Sequence, residues 1–167
     1  MGSDNKAIFV IGVSGTGKTT IADALANHLK GKFIDADDYH SAQNKASMAN
    51  GIPLTDEMRK GWLQDVCAAT NAQGSITVVA CSALKKAYRD TIRSRIKDAS
   101  FVFLDVDPNI LAQRIARRAQ HFVPVSLLES QLQTLQVPQS DETDVLWVDG
   151  TLAVSTIVEL AGRRFGK

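Results

Sequence analysis

Gly12-Val13-Ser14-Gly15-Thr16-Gly17-Lys18-Thr19 is a complete G-x-x-x-x-G-K-[ST] run. Glycines in this pattern let the backbone turn until its N–H groups converge on phosphate oxygens. Lys18 supplies a point charge for β- and γ-phosphates, and the Thr19 hydroxyl, with Thr20 beside it, is placed to ligate Mg²⁺. The flanks provide the context such a loop needs. Residues 7–11 are a short apolar run, and 19–29 set Ile21, Ala22, Leu25, Ala26 and Leu29 at helical spacing. The helix turns the positive end of its dipole toward the loop. The expectation is a nucleotide-phosphate site with ATP and Mg²⁺ as its ligands.

The loop does not by itself name a reaction. Guanine selection needs a late Asn-Lys-x-Asp, whereas the one Asn-Lys pair, Asn44-Lys45, is early and leads to Ser47. A mechanical ATPase usually ends a strand on an acid, whereas the apolar run 76–80 leads into Cys81-Ser82. The missing acid is expected in Phe33-Ile34-Asp35-Ala36-Asp37-Asp38-Tyr39-His40. Asp35 and Asp37 lie two apart at the carboxyl end of a strand over 32–35, so an extended chain turns both to one face. One carboxylate can stand on the metal side while the other accepts the proton of an attacking hydroxyl. Asp38 reads as a cap of the next helix, and His40 either as a substrate contact or as a helix-surface residue.

Basic residues gather at two further places. Ser82 reads as an N-cap, Lys85 and Lys86 fall in the first helical turn, and Arg89 shares a face with Lys85. Cations are disfavoured there unless an anion, such as a substrate carboxylate, binds; a solvated basic helix is the alternative. Arg114, Arg117 and Arg118 are spaced along one face near a helix end, before His121-Phe122 and Pro124. Arginines over the phosphates would stabilise a transferring phosphoryl group, although cations also suit a helix C-terminus without any ligand. Trp62 and Trp147 read as core, His28 as surface, and Cys67 and Cys81 as buried, inert thiols.

The elements alternate to position these groups. Strands are expected at 7–11, 32–35, 76–81, 101–106 and 145–148, with helices at 19–29, 41–50, 56–72, 82–97, from 108, to about 135, and at 153–164. Such alternation implies right-handed crossovers and an α/β fold: a parallel sheet of about five strands with helices on both faces, three layers in all. No repeat or linker divides the 167 residues, so a single domain 1–167 is expected. Residues 41–73 exceed a simple crossover and read as a helical substrate insertion, and 114–136 as a lid. A net charge of +1 gives no field for nucleic acid or an anionic membrane. The absence of a long apolar run and of a disulfide framework points to a cytoplasmic protein. Lys6 stands where a myristoylation start requires Ser or Thr.

Taken together, the sequence resembles the P-loop gluconokinase family, relatives of the shikimate kinases. The resemblance runs through the phosphate loop, Asp35-Ala36-Asp37-Asp38-Tyr39-His40, and Gly51-Ile52-Pro53-Leu54-Thr55-Asp56 with Arg59 and Trp62-Leu63. Its most specific stretch is Cys81-Ser82-Ala83-Leu84-Lys85-Lys86 with Tyr88-Arg89-Asp90. Beyond lie Arg114, Arg118, His121-Phe122, Leu127-Leu128, Gln131, Thr134-Leu135 and Asp141-Glu142-Thr143-Asp144-Val145. The resemblance implies Mg²⁺-dependent transfer of the ATP γ-phosphate to the 6-hydroxyl of D-gluconate. It implies Asp37 as base, Asp35 as the metal-side acid, Lys85 and Arg89 as candidates for the carboxylate, and Arg114 and Arg118 as lid residues beside Lys18. It also implies a homodimer. A same-fold kinase for another small acid or polyol, and a non-catalytic nucleotide sensor, are the competing expectations.

Overall fold

The middle of the molecule is β1 (Lys6–Ile11), whose residues from Ala7 onward are buried because strands flank it on both sides. It pairs in parallel with β3 (Thr77–Ala80) on one side and β4 (Asp98–Asp105) on the other. β2 (Lys32–Asp35) and β5 (Val145–Asp149) complete a five-stranded parallel sheet of order β2-β3-β1-β4-β5. The computed structural model describes residues 5–117 and 125–166.

Alternation along β1 divides the core. Phe9 and Ile11 face one layer, with Trp62, Leu63 and Val66 of α3 (Asp56–Asn71) and Tyr88 and Ile92 of α4 (Lys86–Arg95). Ile8 and Val10 face the other, with Ile21 and Leu25 of α1 (Lys18–Leu29) and Ile157 and Val158 of α7 (Val154–Phe165). Each such side chain contributes about 1.5–3 kcal/mol by leaving water. A third cluster lies at the carboxyl edge of the sheet. There Val13 and Leu84 meet Leu111 and Ile115 of α5 (Pro108–Arg117) and Leu128 of α6 (Val125–Thr134). The chain leaves β1 toward the β2 edge and leaves the neighbouring β3 in the opposite direction, toward β4, and such a reversal is where open parallel sheets bind ligands.

Between β2 and β3 lie a 3₁₀ turn (Ala36–Tyr39), α2 (Ala42–Ala49) and α3. Ser41 caps α2 by accepting the Asn44 N–H, and Thr55 caps α3 by accepting the Met58 N–H. The cap of α2 is therefore Ser41, and Asp38 does not fill that role. Two further expectations are corrected. Residues 81–85 form a loop, with Ala83 at φ 40°, so α4 begins at Lys86 and not at Ser82. Trp147 is 49% exposed because it lies on the edge strand β5, resting edge-on against Phe103 at 4.9 Å. Both cysteines are buried, and burial pushes the Cys67 thiol up to about 11 and that of Cys81 higher still. Among the described residues no helix is long and apolar enough to cross a membrane.

Candidate active site

The glycine loop joins β1 to α1 directly above the sheet. Gly15 and Gly17 take φ of 87° and 93°, conformations that a side chain would strain, and Gly17 ends the loop as the N-cap of α1. The Thr16 hydroxyl donates to the Val13 carbonyl at 2.9 Å and braces the turn from within. Lys18 Nζ folds back to donate to the same carbonyl at 3.0 Å. Two neighbouring helices also hold the loop. Arg114 of α5 donates from Nη1 to the Gly15 carbonyl at 3.0 Å, and Gln131 of α6 accepts the Ser14 N–H at 2.7 Å. Thr19 and Thr20 are exposed in the first turn of α1.

The acid pair sits across the β2 edge. Extended backbone stops at Asp35, whose Oδ1 accepts the Asp37 N–H at 3.0 Å and so starts the 3₁₀ turn. The two carboxylates thus approach through a turn and not along one face of a strand, which corrects the spacing argument. Burial pushes the Asp35 carboxyl above its usual range; Asp37 and Asp38 add to the rise, while the Asp37 N–H and Lys18 oppose it. Asp37 itself lines a cleft that it shares with the phosphate loop.

That cleft gathers groups far apart in sequence: Ser14 and Lys18 from the phosphate side, Asp37 from the 3₁₀ turn and His40 just after it, Arg59 and Trp62 from α3, and Gln131 from α6. His40 is buried, and burial, with Lys45 and Arg59 nearby, lowers its pKa to about 4, so the ring is neutral at physiological pH. Arg59 is half-buried; its Nη1 donates to the Tyr88 hydroxyl at 3.2 Å and its guanidinium lies over the Tyr88 ring. The Tyr88 hydroxyl in turn donates to Asp56.

The basic residues after β3 are not in this cleft. Arg89 is 1% exposed, and all five of its donors are spent. They go to both carboxylate oxygens of Glu142 at 2.7 and 2.8 Å and to the carbonyls of Ala83, Leu84 and Gln136. A guanidinium so engaged has no hydrogen left for a substrate carboxylate, which corrects that expectation. Lys85 precedes α4 and pairs with Asp56 at 2.9 Å. Arg117 is exposed at the end of α5, and Arg118 and His121 fall outside the described residues. Arg59 and Gln131 carry no local sequence signal of a role. They stand within the resembling segments, but only the fold brings them to the phosphate loop.

Residues 14–149 match the family model described as Shikimate kinase. A thermosensitive gluconokinase of Escherichia coli K12 is 40% identical over 157 residues, covering 92% of this chain and 84% of that protein. The chain belongs to the gluconokinase family. The gluconokinase of Gluconobacter oxydans 621H is 41% identical over 168 residues, covering 99% of this chain and 94% of its own length. The crystal structure of a gluconokinase from Sinorhizobium meliloti 1021 superposes with a TM-score of 0.85 at 38% identity, covering 98% of this chain and 95% of that one. Family membership makes the protein a kinase of the P-loop fold, a phosphotransferase for which ATP is a substrate.

Proposed function

We propose that the protein transfers the γ-phosphoryl group of ATP to the 6-hydroxyl of D-gluconate. The observation that supports this most is the shared cleft, in which Lys18 and Ser14 of the phosphate loop face Asp37 and Arg59. One end of that cleft suits a polyphosphate and the other a small acid. Gluconate carries its primary hydroxyl and its carboxylate at opposite ends of one chain. Arg59, braced by Tyr88, anchors the carboxylate, and Asp37 receives the hydroxyl. As the new O–P bond forms, Asp37 takes the hydroxyl proton, and the bond to the ADP oxygen breaks. Lys18 and the loop N–H groups neutralise charge on the phosphates, with Arg114 and Arg118 serving the nucleotide side and His40 and His121 the acceptor side. The apolar walls, among them Leu54, Leu84 and Leu127, keep water from competing as acceptor.

Mg²⁺ fits the donors at hand, since Thr19 and Asp35 offer hard oxygens. Among the described residues no group of three or more His, Cys, Asp or Glu forms a metal cage, which suits an ion held mainly by nucleotide phosphates. When bound, it supplies charge neutralisation on the phosphates. We place the protein in the cytoplasm as a single kinase domain working as a homodimer, with residues 41–73 on the acceptor side and 114–136 as the lid. Product analysis tests the proposal. Gluconate incubated with Mg-ATP and enzyme should gain one phosphate on C6, read by phosphorus–carbon coupling in NMR. Asp37→Asn should lower the rate about 10²–10⁴-fold. Phosphate on another carbon, or an unaffected Asp37→Asn, would reject it.

A further inference from the structure

His40 lines the same cleft as Asp37, yet its side chain is only 4% exposed, against 56% for Asp37. Its ring is fixed from several directions. Trp62 stacks on it with centroids 4.3 Å apart and planes 13° from parallel, and the Trp62 Nε1–H donates to the Ala36 carbonyl at 2.7 Å. Asn44 sets its amide nitrogen 3.4 Å from His40 Nδ1. An amide nitrogen only donates, so Nδ1 accepts, and in the neutral ring the proton resides on Nε2. Nε2 is the atom that faces Asp37, 3.7 Å from Oδ1. His40 caps the 3₁₀ turn in extended conformation, and its backbone N–H donates to the Asp37 carbonyl at 3.3 Å, which holds the two residues together.

We infer that His40 is a positioning residue for the base: its Nε2–H orients the Asp37 carboxylate through Oδ1 and leaves Oδ2 for the acceptor hydroxyl. The inference rests on the proposed role of Asp37 as base. The 3.7 Å gap is wider than a hydrogen bond, and such contacts commonly tighten when substrate arrives; the exposed Asp37 side chain has room to turn toward Nε2. Neutrality matters to the task. A cationic imidazolium would stabilise the carboxylate and weaken it as a base, whereas a neutral N–H orients it at smaller cost. Burial and the facing cations Lys45 and Arg59 keep the ring in that neutral form.

Two substitutions separate orientation from packing. His40→Phe keeps the aromatic stack on Trp62 and removes the N–H. His40→Gln gives up the ring but can return an N–H near the Nε2 position. The readout is kcat per ATP-binding molecule with saturating D-gluconate and Mg-ATP, with both KM values, on the full chain and beside Asp37→Asn. The expected result is a kcat about 100-fold lower in His40→Phe, with KM for ATP unchanged, and at least about tenfold of that recovered in His40→Gln. If His40→Phe keeps kcat within about threefold, or His40→Gln is no better than His40→Phe, the positioning role is overturned while an inactive Asp37→Asn leaves the base in place. If Asp37→Asn retains full turnover, the base assignment fails and takes this inference with it.

Discussion

Arg59 and Arg89 show how burial decides what a guanidinium can do. Arg59 is half-buried at the wall of the cleft, with Tyr88 fixing one nitrogen, so hydrogens remain to grip a carboxylate. Arg59→Met should therefore raise KM for gluconate about 10–100-fold, the loss of one charged hydrogen-bonding group, while KM for ATP stays put. Equal loss for both substrates in steady-state kinetics would reject the assignment. The phosphate loop and the places of Asp35 and Asp37 at the end of β2 were legible because two short contiguous segments carry them. Arg89 misled because its partner, Glu142, is 53 residues away, and no local spacing reveals that a basic face will be turned inward onto a distant acid.

At the scale of elements, that pair ties α4 to the segment entering β5. Arg89 and Arg93 both reach Glu142, Arg93 adds Asp144, and the Gln136 N–H donates to the Leu84 carbonyl at 2.7 Å. The end of α6 is thus moored to the loop before α4, close to the cleft. Removing one partner strands a buried charge, so Arg89→Met should cost about 3–5 kcal/mol, or roughly 10 °C in thermal midpoint. Burial works to raise the Glu142 carboxyl, but hydrogen bonds from Arg89 and Arg93 outweigh it and hold the pKa at about 2, below the ordinary 4.5. A depressed folded-state pKa means that the unfolded chain binds more protons between these values. The stabilisation is then complete above about pH 4.5 and falls away toward pH 2. Denaturant melts across this window should show a flatter dependence in Arg89→Met than in the native protein; identical slopes would contradict the pairing energetics. The loop 81–85 was hidden in sequence because Ser82 resembles a helix cap. Only Ala83 in left-handed conformation, and the Lys86 N–H taken up by the Gln136 side chain, postpone the helix to Lys86.

For the molecule as a whole, strands alternating with helices made the parallel sheet legible, whereas strand order was not. β1 lies between β3 and β4 because its apolar residues need cover on both faces and both edges, a requirement that periodicity alone does not convert into neighbours. The edge position of β5 likewise could not be read from 145–149, and it is what leaves Trp147 half in water. With a net charge of +1, selectivity has to come from the cleft and not from a long-range field. The most direct test is ADP release with Mg-ATP against D-gluconate, L-idonate, shikimate, D-glucose and AMP in parallel. The account predicts strong turnover with gluconate and little with the others. Turnover led by another acceptor, or none with any of them, would contradict it.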